Sequence, residues 1–103
     1  MNKWFSVMDM HSGGGRKTPF EMYFIEAADQ IDAERIFTEA TGEDPDDVAC
    51  DCCGSNFSVS GGDDTLAECA SYWASYRGGL EEYLKDARNL VKVIPLTSEA
   101  DLI

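Results

Sequence analysis

The sequence predicts an α+β domain: a small, mostly antiparallel sheet of about five strands, with helices packed on one face. Three observations carry that expectation. Short aromatic and β-branched runs alternate their apolar positions, two later stretches repeat apolar residues at helical spacing, and glycine-rich or acidic turns separate the runs. The implied order is β-β-α-β-β-α-α-β, spread over one domain of 103 residues with a loosely docked tail at 97–103.

Each element has its own signal. Residues 4–10 are rich in aromatic and apolar side chains and end at a polar turn, which reads as a strand. The run His11-Ser12-Gly13-Gly14-Gly15-Arg16-Lys17 is a loop, because three consecutive glycines hold no regular element cheaply. Residues 20–26 form a second strand, with Met22 and Phe24 on one side and Tyr23 and Ile25 on the other, so the pair reads as a hairpin. Ala33, Ile36, Phe37 and Ala40 then make one helical stripe. Asp29 or Asp32 caps its start, and Gly42 ends it in a left-handed conformation. Residues 48–52 and 56–60 read as short strands around Cys53-Gly54-Ser55, with Gly61-Gly62-Asp63-Asp64 as the following turn. Thr65 and Glu68 match a capping box for a second helix, broken at Gly78-Gly79 and followed by a short third helix through Leu80, Tyr83, Leu84 and Ala87. Residues 90–96 close the order as a strand, and Pro95 places its end at a sheet edge.

Charge narrows the partners. Twenty acidic residues oppose eight basic ones, for a net charge of −12. Such a field repels nucleic acid and anionic membrane and attracts basic surfaces, although it also serves plain solubility. An apolar fraction of 44 % with eleven aromatic residues argues against disorder. The chain has no apolar run of the roughly 20 residues that a membrane span needs. Its N-terminal residues have no signal-peptide core, so a cytoplasmic protein with reduced cysteines is expected.

Four groups of residues could carry function. Cys50-Asp51-Cys52-Cys53-Gly54 holds a Cys-x-x-Cys spacing that suits two thiolates on one zinc ion, with Cys69 and His11 as the soft candidates for the remaining positions. The same cysteines also read as small buried apolar residues of a reduced protein. In the glycine loop, backbone amides of Ser12, Gly13, Gly14 and Gly15 beside Arg16 and Lys17 could cradle an anion, and this is the basic spot expected of the chain. The loop lacks a phosphate-loop ending, and a hairpin tip explains it equally. Asp9 and His11 share a side of an extended segment, but the sequence locates no oxyanion device or second catalytic carboxylate, so no catalytic residue is assigned. Finally, Asp29, Asp32 and Glu34 on the first helix, with Glu43, Asp44, Asp46 and Asp47 after it, space carboxylates in a way that imitates the phosphates of a polynucleotide. The plain alternative is a solvated face plus favourable charge at a helix start. Tyr72, Trp73, Tyr76 and Tyr83 cannot all face one core stripe, so some would sit at an interface, with core packing as the commoner explanation of such residues.

The segments Asp9-Met10-His11-Ser12-Gly13-Gly14 and Cys50-Asp51-Cys52-Cys53-Gly54, with Phe57-Ser58-Val59 after the second, together resemble a group of small uncharacterised proteins encoded by tailed bacteriophages. The similarity runs over residues 4–94. It implies a viral product acting in the bacterial host cytoplasm and carries no activity onto particular residues. By analogy with anti-CRISPR and other anti-defence proteins, it implies an acidic inhibitor of a basic host protein or ribonucleoprotein complex. Such an inhibitor would work by electrostatic and steric occlusion, without touching nucleic acid or membrane. A small zinc-binding accessory protein and a phosphate or nucleotide binder using the glycine loop are the alternatives.

Overall fold

The computed structural model describes residues 2–10, 18–45, 48–50 and 54–96. Strand β1 (Lys3–Asp9) pairs antiparallel with β2 (Met22–Ala27) in the expected hairpin. Helix α1 (Gln30–Thr41) follows, then a two-stranded ribbon of β3 (Val48–Cys50) and β4 (Gly54–Ser55). Strand β5 (Phe57–Asp63) returns to the main sheet, and α2 (Leu66–Ser75), α3 (Leu80–Lys85) and a 3₁₀ turn (Ala87–Asn89) lead to β6 (Val91–Ile94). The main sheet has four strands in the order β5-β1-β2-β6.

The fold is α+β as expected, with three corrections. The main sheet has four strands instead of about five, because β3 and β4 pair only with each other. It is mixed, because β6 lies parallel to β2. The helices cover both faces instead of one. Phe5, Val7, Tyr23, Ile25, Ala27 and Phe57 pack with Ala33 and Phe37 of α1. Met22 and Phe24, with Trp4 and Met8, pack on the other side with Cys69, Ala70 and Ala74 of α2 and Tyr83 of α3.

Topology supplies the reason. Both β2 and β5 run antiparallel to β1, so they are parallel to each other, and β6 is parallel to both. The connection from β2 to β5 passes over β1 in one direction, and that from β5 to β6 passes back across the sheet in the other. Two crossovers of the same hand that travel in opposite directions lie on opposite faces. The result is a three-layer arrangement in which β2 is buried on both sides.

Local chemistry sets the ends. Asp29, not Asp32, caps α1: its carboxylate accepts from the Asp32 amide at 2.8 Å. Gly42 closes the helix at φ 80°, its amide donating to the Thr38 carbonyl. Thr65 caps α2 as expected, accepting from the Glu68 amide at 3.1 Å, and its hydroxyl donates to the Glu68 carboxylate. The pair Gly61-Gly62 is not a turn but part of β5. The register of β5 on β1 shifts between Trp4 and Phe5, and a Cβ on Gly61 would lie 2.7 Å from the Trp4 carbonyl oxygen. That close backbone approach at φ 121° requires glycine.

Replacing Phe24, fully buried against α2 and α3, by alanine should destabilise the protein by about 3–5 kcal/mol. Gly61→Ala should also destabilise it, whereas Ile31→Ala, on the outer side of α1, should leave stability nearly unchanged. Urea titrations followed by circular dichroism check all three.

Candidate functional site

Helix α2 shapes one wall of a concavity in the described surface. Ala70 and Ala74, both small, let it sit close to the sheet, while Trp73 reaches Phe24 edge-on with ring centroids 5.9 Å apart. One turn apart on the outer side, Tyr72 and Tyr76 stand 66 % and 73 % exposed, with ring centroids 5.4 Å apart. Tyr72 also meets Trp73 edge-on, so the aromatic rings continue from the surface into the core.

The helix ends at Ser75 with Tyr76 as its C-cap, and Gly78 and Gly79, both at positive φ, then reverse the chain, the Gly79 amide donating back to the Ala74 carbonyl. Arg77 stands exposed in the turn just past the end of α2. After α3, Asp86 and Arg88 form a two-point ion pair, Nε to Oδ1 at 3.0 Å and an Nη to Oδ2 at 2.7 Å. The Arg88 hydrogen bonds, side chain first and then backbone, hold the Asp86 carboxyl down at about 2. Asn89 donates from its side-chain amide to the Tyr83 carbonyl at 2.9 Å. Leu90, the one non-glycine residue at positive φ among the described residues, then turns the chain into β6. Its carbonyl accepts from the Glu21 amide.

These features enclose a groove of about 490 Å³. Tyr72, Trp73, Tyr76 and Tyr83 supply its aromatic wall, and Arg77, Arg88 and Asn89 its polar end. Asp9 and Glu21, at adjoining ends of β1 and β2, complete the lining. The sequence flagged the surplus aromatics and Asp9. It missed Arg77 and Arg88, so the basic spot expected at Arg16 and Lys17 is not the chain's only one. A usable signal was present: an arginine directly before a Gly-Gly stop is held at an exposed helix end.

The acidic candidates fall largely on the opposite layer. Residues 28–45 carry six acids and one base, whereas residues 66–89 carry four acids and three bases. Asp29 serves as the α1 cap, and Asp32 accepts from Arg35 and the Ala28 amide, both of which lower its pKa, Arg35 most. Arg35 also binds Glu39. Glu34 takes a hydrogen bond from Gln30, and Glu43 and Asp44 follow the helix end. Ile31 stands 80 % exposed among these acids. Asp46 and Asp47 lie outside the described residues.

The zinc candidates are only partly placed. Cys50 contributes backbone to β3, and His11 and Cys53 lie outside the described residues, as do Ser12, Gly13, Gly14, Gly15, Arg16 and Lys17 of the glycine loop. No cluster of metal-ligating side chains occurs among the described residues. Cys69 faces the core from α2, where burial first and the Asp63 carboxylate second push its thiol up to about 12. No described helix is long and apolar enough to cross a membrane. No family model, curated protein or solved structure matches the chain.

Two outcomes follow from the environments of Cys69 and Asp86. Cys69 should resist alkylation at neutral pH in the folded protein and react once it is unfolded, as read by peptide mapping. Its raised pKa stabilises the fold below the ordinary thiol value of 9.0, and that contribution is lost as pH rises towards about 12. Asp86 works the other way: its contribution is present above 3.8 and disappears as pH falls through about 2, which carboxyl NMR titration checks.

Proposed function

We propose that this protein is an acidic binding module that occupies a basic, nucleic-acid-handling surface of a host complex and blocks it without chemistry. The carrying observation is the uneven distribution of charge: the α1 side holds six acids against one base, and that base, Arg35, is already engaged by Asp32 and Glu39. Exposed Ile31 adds an apolar point inside the acidic field. A central apolar contact within a charged rim is the usual anatomy of a protein interface, and complementary charge speeds encounter and selects the partner.

The acids of the α1 side do not all contribute in the same way. Asp29 and Asp32 hold the helix start, so their carboxylates are fixed by the fold. Glu34, Glu43 and Asp44 do not cap the helix start and are the ones to neutralise. Action in the cytoplasm of a phage-infected bacterium remains part of this proposal, in line with the resemblance described above.

A Glu34→Gln, Glu43→Gln, Asp44→Asn variant should keep its helix caps and lose affinity for the partner on the order of tenfold, with a shallower salt dependence. Capture from bacterial lysate, followed by mass spectrometry and salt elution, checks it. A nucleic-acid-binding protein retained by the wild type and released by added polynucleotide supports the reading. Equal retention by the neutralised variant overturns occlusion by charge.

A further inference from the structure

We propose that the groove between α2 and α3 is a separate small-ligand site for a planar heterocycle bearing one anionic group, of the size of a nucleoside monophosphate. It lies on the layer opposite the acidic α1 surface and does not depend on the binding role proposed for that surface. Three observations converge on it.

The first is a cation at the groove. Among the described residues, Lys3, Arg35, Lys85 and Arg88 each form an ion pair with a carboxylate, whereas Arg77 and Lys92 do not. Of these two, Arg77 lines the groove, with its guanidinium exposed and the Asp86 carboxylate at the same end. Its planar, forked guanidinium matches the oxygens of a phosphate or carboxylate. Arg88, held in place by Asp86, stands beside it at the same end.

The second is the aromatic wall. Tyr72 and Tyr76 are the two most exposed aromatic side chains named on the surface, and they stand together at the groove. A planar ring can stack on such a side chain without sequence-specific hydrogen bonds. The third is size and charge balance. About 490 Å³ suits a ligand of nucleotide size. Arg77 and Arg88 at the groove's polar end place two guanidinium groups against one carboxylate, Asp86, which suits a single anionic group there. A polynucleotide is excluded by the net charge, whereas a monoester is not.

Isothermal titration with AMP, GMP, CMP and UMP, using adenosine and inorganic phosphate as controls, tests the site on the full chain. At least one monophosphate should bind, with adenosine and inorganic phosphate at least tenfold weaker. Arg77→Ala and Tyr76→Ala should each weaken that binding at least tenfold. Both side chains are exposed, so unchanged thermal melting will show that the fold is intact. The proposal is overturned if none of the four nucleotides binds up to millimolar concentration. It is equally overturned if the Arg77→Ala and Tyr76→Ala proteins bind as the wild type does. Capture experiments on the α1 variant report on the other surface, so either result stands without the other.

Discussion

The structure depends on burying both sides of one strand. Met22 and Phe24 point one way from β2, and Tyr23, Ile25 and Ala27 point the other. A strand with that pattern needs cover on both faces, because one apolar face would otherwise remain in water. β2 must therefore lie inside a sheet with cover above and below, and α1 on one face and α2 with α3 on the other provide it. Edge-to-face contacts fix the two sides: Tyr23 and Phe57 close on Phe37 in one layer, and Trp73 and Tyr83 close on Phe24 in the other. Each such pair adds about 0.5–1.5 kcal/mol beyond the area it buries.

Covering the second face creates the groove. Small residues bring α2 close to the sheet, and a short α3 must then turn the chain back towards the edge strand β6. The turn uses two glycines at one end and a left-handed Leu90 at the other. A left-handed leucine is unfavourable, by roughly 1–3 kcal/mol, and it persists where the surroundings demand it. Here its carbonyl receives the Glu21 amide at 2.7 Å and the Met22 amide at 3.3 Å, anchoring the 3₁₀ turn to the start of β2. The residues carried by these two reversals, Arg77 on one side and Arg88 and Asn89 on the other, consequently meet at one end of the same cavity.

Local signals in the sequence were legible, and long-range ones were not. The Asp29 cap and Gly42 stop of α1 and the Thr65 cap of α2 each depend on a few neighbouring side chains, so they were readable position by position. Alternation in β2 was equally plain. Its meaning was missed: apolar residues on both sides of one strand imply two covering layers, and the one-face arrangement treated them as a single core. Gly61-Gly62 looked like a turn because its partner, the Trp4–Phe5 step of β1, lies far away in sequence. The parallel β6 was hidden for the same reason, since strand direction follows from how two crossovers travel. The groove was half visible. Surplus tyrosines pointed to a surface, but pairing them with Arg77 required knowing where the second helix stops and which way the chain then turns.

Charge is divided between the layers in a way that hydrophobic packing does not require. Either outer helix surface could have carried the excess carboxylates at the same cost to the core. Instead the α1 side carries six acids with one base, and the α2–α3 side, with four acids and three bases, sets two of those bases, Arg77 and Arg88, beside exposed aromatic rings. Self-repulsion within the acidic side costs stability at low ionic strength, and spreading the charges would reduce it. Solubility is served by net charge wherever it sits, so solubility alone leaves this segregation unexplained. The proposed contact with a cationic partner and the proposed admission of an anion would place opposite demands on the local potential. The fold sets the two surfaces on opposite faces of the sheet, with the largely buried β2 between them, so that one small domain could satisfy both.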